Sequence, residues 1–259
     1  MTRPEPLFRG IGVALVTLFE PDGALLVDAT AQHAGRLADR GVAAIVVGGT
    51  TGEASALAPD ERSALIAAVR GAVPGPVPVI AGTGAPTAAE AVALTRAAAH
   101  AGADAALVLS PPGVEDPSDY YATLSAEAGD LPLLAYHFPL VSPPGIPLEV
   151  LASLPTRGVK DSSGNAERLA FMVDRYAGEI YVGSATLLAL AGPLGATGAI
   201  LALANVLPER CAVAWAGDPD AQRALFNDHL AAADAFPRAL KERMAAEIGT
   251  PTGVRHVLS

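Results

Sequence analysis

Eight short apolar runs, each followed by a stretch of helical period, constrain this chain more than any other feature. The runs are Ile11–Leu18, Ala43–Val47, Val77–Ala81, Asp104–Leu109, Pro132–Tyr136, Gly158–Lys160, Ile180–Gly183 and Gly198–Leu201. Each is too short for a buried helix and is bounded by Gly, Pro or Asp, so each reads as a strand buried on both faces. The intervening segments alternate apolar and polar residues with helical spacing at 28–40, 59–70, 87–100, 117–128, 147–154, 165–176, a short piece from Ala185, and 208–215. Their ends carry punctuation of known effect. Gly41 stops the first helix, Pro59 and an acidic turn open the second, and Thr87-Ala88-Ala89-Glu90 is a capping box for the third. Strands alternating with helices demand a parallel sheet covered on both sides, and eight such units predict a (β/α)8 TIM barrel. The barrel is expected over residues 1–216, with a short C-terminal helical extension over 217–259 built from helices at 218–234 and 237–248. An open doubly wound sheet is the competing architecture, but no glycine-rich dinucleotide fingerprint follows the first strand.

Composition narrows the function. Net charge is -10 and no basic cluster occurs, which argues against nucleic acid and anionic membrane partners. Ile180–Pro208 lacks charge and is long enough to span a bilayer, yet Gly183, Gly192, Pro193, Gly195 and Gly198 divide it into short elements. No membrane span is expected. A single cysteine, Cys211, suits a reducing compartment and reads as a small buried residue, and Met1–Pro6 lacks the apolar core of a signal peptide, so a cytoplasmic protein is expected. The histidines at 33, 100, 137, 229 and 256 show no metal-ligand spacing, and no cofactor motif appears, so neither metal nor cofactor is expected.

In such a barrel, chemistry gathers at the C-terminal strand ends. That filter selects Thr17, Thr50, Thr51, Ser110, Tyr136, Lys160, Ser184 and Asn205. Lys160 stands out because the chain uses arginine for nearly all its positive charge; only Lys160 and Lys241 are lysines among 17 basic residues. Arginine stays protonated, whereas a desolvated lysine can lose its proton and attack a ketone to form a Schiff base. The loop Gly48-Gly49-Thr50-Thr51-Gly52-Glu53 collects backbone N–H groups and two hydroxyls, a means of holding a carboxylate. Tyr136 closes the fifth strand and is a candidate proton relay, while His137 should face the other way. On these motifs alone, a surface lysine, an ordinary turn and a core tyrosine remain open as alternatives.

Taken together, Gly49-Thr50-Thr51-Gly52-Glu53, Tyr136 with Pro139, and Gly158-Val159-Lys160-Asp161, in that order on strands two, five and six, resemble the dihydrodipicolinate synthase/N-acetylneuraminate lyase family. The resemblance implies a (β/α)8 barrel, usually a homotetramer, that condenses a lysine with pyruvate or another 2-keto acid. It makes Lys160 the Schiff-base lysine and Tyr136 the proton-transferring tyrosine. Thr50 and Thr51 bind the keto acid carboxylate and join the proton relay with Gly49 in their loop, and Ile200 lies near the position whose backbone faces the keto acid.

Two departures matter. The synthases carry a tyrosine pair after strand four, where this chain has Ser110-Pro111-Pro112-Gly113; Tyr120 and Tyr121 come later, on a helix. The synthases also place an arginine shortly after the strand-five tyrosine to hold the second substrate's carboxylate, where this chain has Leu140-Val141-Ser142. Losing a charge-assisted contact disfavours an amino-acid semialdehyde. The expectation is therefore a metal-independent class I aldolase or lyase acting on a 2-keto acid and an aldehyde. A dihydrodipicolinate synthase, a Schiff-base dehydratase and a non-catalytic keto-acid binder are the alternatives. The short helical tail leaves a homo-oligomer of two or four chains open.

Overall fold

A computed structural model describes residues 5–256. Of Met1–Pro6, the segment lacking the apolar core of a signal peptide, residues 1–4 lie outside the described residues. Eight parallel strands close into a barrel in chain order: β1 (Gly10–Ala14), β2 (Ala44–Val47), β3 (Val79–Gly82), β4 (Ala105–Leu109), β5 (Leu133–His137), β6 (Gly158–Asp161), β7 (Glu179–Val182) and β8 (Gly198–Leu201), with β8 returning to β1. The helices are α1 (Val27–Asp39), α2 (Pro59–Ala72), α3 (Ala88–His100), α4 (Ser118–Glu127), α5 (Leu148–Leu151), α6 (Ala166–Arg175), α7 (Leu188–Leu194) and α8 (Pro208–Trp215), followed by α9 (Pro219–Ala233) and α10 (Arg238–Ile248). Half of the capping box expected at α3 forms: the Glu90 N–H donates to Thr87 Oγ1, while the Glu90 carboxylate accepts from the Thr87 hydroxyl rather than from its backbone N–H.

Strand alternation splits the apolar residues into two cores. Ala14, Ala44, Val46, Ile80, Leu107, Leu134, Tyr136, Tyr181 and Ile200 fill the barrel interior. Ile45, Val47, Val108, Ala135, Val159, Ile180 and Leu201 instead face the surrounding helices. The interior is closed from below by Phe8, whose ring stacks on Tyr181 with centroids 4.4 Å apart. The space it fills is left by Gly12, where an added Cβ would lie 3.0 Å from the Phe8 ring.

The first apolar run is longer than its strand. Leu15–Leu18 are fully buried, yet β1 ends at Ala14. Beyond it the chain leaves the ladder: the Val16 N–H donates to Asn205 Oδ1 and the Leu18 N–H to Thr30 Oγ1, so side chains take over from strand partners. Similarly, α5 is a single turn rather than the longer helix expected over 147–154. No helix among the described residues is long and apolar enough to cross a membrane.

Candidate active site

Tyr136 and Lys160 are register partners on β5 and β6, and both side chains point into the barrel at its C-terminal end. Each is 4% exposed. Lys160 Nζ lies over the Tyr136 ring, 4.3 Å from its centroid, and the ring in turn stacks on Phe138. Lys160 has no carboxylate within ion-pair distance among the described residues. The other lysine, Lys241, is also buried but pairs with Glu53 at 2.5 Å. Lys241 thus commits its ammonium to an ion pair, whereas the Lys160 amine stands beside a tyrosine without one. Room for it comes from β7's end, where Gly183 follows Tyr181 on the inner face; an added Cβ there would stand 3.1 Å from Lys160 Cε and 1.9 Å from Ser162 Oγ.

At the same end, the loop after β2 folds back on itself. The Gly52 and Ala54 N–H groups donate to the Gly49 carbonyl and the Glu53 N–H to the Thr50 carbonyl, which exposes Thr50 partly and buries Thr51. Thr17 Oγ1 donates to the Gly52 carbonyl at 2.8 Å, so Thr17 supports the loop from β1's continuation. Ile200 is fully buried in the barrel interior, on β8 opposite Gly12.

The remaining strand-end residues have structural work. Asn205 is fully engaged: its Oδ1 accepts from Val16 N–H and the His33 ring, and its Nδ2 donates to the Ala14 and Ala202 carbonyls. Ser184 caps the turn before α7. The Ser110 hydroxyl is buried without a partner among the described residues, although its carbonyl accepts from Ser142 Oγ. Tyr120 and Tyr121 cannot stand in for a strand-four tyrosine, since their hydroxyls donate to the Ala85 and Val108 carbonyls. His137 faces away from Tyr136 as expected. Its Nδ1 accepts from the Ile146 N–H, and burial with the nearby Arg168 cation pushes its pKa down to about 4. Cys211 is fully buried and burial pushes its thiol up to about 12, so it is unreactive.

Three arginines near this end of the barrel are held by protein groups, although the buried Arg168 Nη2 has no hydrogen-bond partner among the described residues. Arg168 pairs with Asp161, Arg255 with Glu61, and Arg62 donates to the Leu57, Gly82 and Ala54 carbonyls. The segment after β5 presents Leu140, 84% exposed, and the half-buried Val141. Sequence reasoning missed both Gly183, whose only signal was its place at a strand end, and the Glu53–Lys241 pair.

Comparison with known proteins agrees with this fold. The profile of the Dihydrodipicolinate synthetase family covers residues 7–230. An uncharacterised DapA-like lyase of Halobacterium salinarum is 38% identical over 216 residues, 79% of this chain and 70% of that protein. The 4-hydroxy-tetrahydrodipicolinate synthase of Pseudomonas aeruginosa is 37% identical over 238 residues, 86% of this chain and 81% of that one. The crystal structure of dihydrodipicolinate synthase from Acinetobacter baumannii complexed with pyruvate superposes with a TM-score of 0.87 at 30% identity, over 95% of this chain and 91% of that one. The family match, the identity to these relatives and the shared fold together place the chain in the dihydrodipicolinate synthetase family of lyases.

Proposed function

We propose that this enzyme is a class I aldolase whose Lys160 amine forms an imine with pyruvate or a 2-keto-3-deoxy acid and then cleaves or forms the adjacent C–C bond. The observation that carries this reading is a buried lysine with no carboxylate partner, set against the Tyr136 ring. The amine attacks the keto carbon, and proton transfers expel the carbonyl oxygen as water. The resulting iminium draws electrons from the neighbouring bond. In cleavage, Tyr136 takes the proton of the C4 hydroxyl, the C3–C4 bond breaks, an aldehyde departs and the electron pair remains as an enamine, whose C3 then takes up that proton to regenerate the iminium. In condensation the iminium first loses a C3 proton to give the enamine, which attacks the aldehyde carbonyl, and the proton is returned through Tyr136 to the new alkoxide. Water then releases the keto acid and restores the amine.

Thr50 joins Tyr136 in the proton relay, while Thr51 and the Gly49 backbone hold the keto acid carboxylate, with the Ile200 backbone facing it. Such orientation lowers barriers by up to about 7 kcal/mol at the well-positioned limit. Pyruvate bound by the 30% identical Acinetobacter baumannii enzyme supports a keto acid as first substrate. The second substrate is an uncharged hydroxyaldehyde of the sugar type, because Val141 stands in the segment where a carboxylate-binding arginine is expected, and Arg168 and Arg255 are already paired with Asp161 and Glu61. Residues 1–216 constitute the catalytic barrel and 217–259 a helical extension. A homo-oligomer of two or four chains in the cytoplasm completes the reading, supported by apolar side chains exposed on α7 to α9 (Leu194, Val213 and Leu230) and by a single buried cysteine.

A panel of neutral hydroxyaldehydes and amino-acid semialdehydes, each assayed with pyruvate, tests the proposal. Neutral aldehydes should be turned over in preference, Lys160→Ala should abolish turnover while remaining folded, and Val141→Arg should improve use of the carboxylate-bearing aldehydes about tenfold, as one charge-assisted hydrogen bond allows. Turnover retained by Lys160→Ala would refute the mechanism. A parent that prefers the semialdehydes would refute the assignment of substrate class.

A further inference from the structure

The Glu53 side chain, last residue of the Gly49–Glu53 loop, is buried out of contact with solvent and reaches back to the chain's C-terminal end. Its Oε1 accepts from Lys241 Nζ on α10 at 2.5 Å, and its Oε2 accepts from the Arg255 and His256 N–H groups at 2.7 Å each. Lys241 is also fully buried and donates to the Gly253 carbonyl at 2.7 Å. Glu53 adopts a left-handed backbone conformation with φ 56°, which a non-glycine residue holds only when its surroundings fix it. Among the described residues, the hydrogen bonds to the carboxylate come from α10 and the C-terminal segment.

The same segment is locked onto the barrel independently. Gly253 pairs with Phe19 in an antiparallel bridge so close that an added Cβ would lie 2.4 Å or less from the Phe19 and Glu20 carbonyl oxygens. The Phe19 ring carries two cations, with Lys241 Nζ 4.7 Å and the Arg255 guanidinium 4.5 Å from its centroid. Arg255 also clamps Glu61 with both ends of its guanidinium and donates to the Ala56 carbonyl just beyond the loop. Thus the loop bearing Thr50 and Thr51 is held at one end by β2 and at the other by residues about two hundred positions away.

We infer that Lys241 and the segment Gly253–His256 are positioning elements of the keto acid subsite, fixing Glu53 and through it the Thr50–Thr51 loop. The inference rests on the reading of that loop as the keto acid site. It makes the C-terminal extension part of the catalytic unit, whatever it contributes to assembly. A buried carboxylate held by an ammonium and two backbone N–H groups has few alternative arrangements, so the loop geometry is set before substrate arrives.

Two variants test it. Lys241→Met removes the ammonium at similar length, and Gly253→Ala wedges the segment off Phe19 while leaving Glu53 and Lys241 intact. Hydrogen exchange at the Gly52, Glu53 and Ala54 amides, which needs no ligand, should accelerate at least tenfold in both, with β6 unaffected. The pyruvate concentration giving half-maximal borohydride trapping should rise about tenfold, with the saturated trapping rate changed far less. A role confined to stability would lower the melting temperature and leave half-saturation alone. Unchanged exchange, or accelerated exchange with half-saturation within twofold of the parent, overturns the inference; if Lys241→Met does not fold, Gly253→Ala alone decides. A parent that forms no adduct with any keto acid refutes the keto acid reading and this inference with it, a result distinguishable because exchange is read without ligand.

Discussion

Gly183→Ala and Gly71→Ala are the same chemical change at two places and should act with opposite sign. At Gly183 the new Cβ would sit 1.9 Å from Ser162 Oγ and 3.1 Å from Lys160 Cε. Ordinary contact begins near 3.4 Å, so Ser162 must retreat by about 1.5 Å and the lysine stem by a few tenths. Overpacking of this kind costs about 1–3 kcal/mol, which for a chain of 259 residues lowers the melting temperature by roughly 2–10 °C. The larger effect is on chemistry, because displacing a reacting group by on the order of 1 Å can cost a hundredfold in rate. At Gly71, on α2, nothing lies within 4 Å of the new Cβ. Helix propensity then predicts a gain of up to about 1 kcal/mol and no change in chemistry. Thermal melts followed by circular dichroism and the rate of borohydride trapping with pyruvate read both quantities. Trapping by Gly183→Ala within threefold of the parent would show that the amine does not depend on the clearance this glycine provides.

Tyr136→Phe should reduce turnover by about 10²–10⁴-fold while imine trapping falls much less, because the ring and its packing on Phe138 remain and only the proton carrier is lost; single-turnover kinetics with a full substrate measures the split, and an unchanged rate would return Tyr136 to a packing role. Burial holds His33 and His137 at a pKa of about 4 in the folded chain, against 6.5 when exposed. The unfolded chain therefore binds more protons between those values, so stability is full above pH 6.5 and falls as pH drops toward 4, by up to roughly 3 kcal/mol per histidine. Urea midpoints at pH 7 and 5 check this, and His33→Gln should flatten the slope; an unaltered slope would remove His33 from the account.

The barrel was readable because each strand is a run of apolar residues with a breaker at either end, and because eight of them alternate with helices whose caps are written in sequence, such as Thr87 with Glu90. The lysine was readable from economy: two lysines in a chain that otherwise uses arginine. That argument did not distinguish their roles, and in fact both are buried, Lys160 beside Tyr136 and Lys241 against Glu53. The difference lies in a partner 188 residues away in sequence, which no local pattern encodes. Asn205 and Thr17 were selected because strand ends face a common site, yet their polar groups satisfy backbone donors and acceptors where β1 leaves the ladder. A strand-end filter finds polar residues near the mouth; it cannot tell a group that meets substrate from one that mends the backbone. For the same reason Leu15–Leu18 read as strand: burial was legible, but hydrogen bonding to side chains was not.

The most direct test of Lys160 as the imine-forming residue is intact mass after incubation with pyruvate and borohydride, followed by peptide mapping. The account predicts one reduced pyruvyl adduct per chain, on the peptide carrying Lys160, and none in Lys160→Ala. An adduct on Lys241, or no adduct with pyruvate or any longer 2-keto acid, would contradict it.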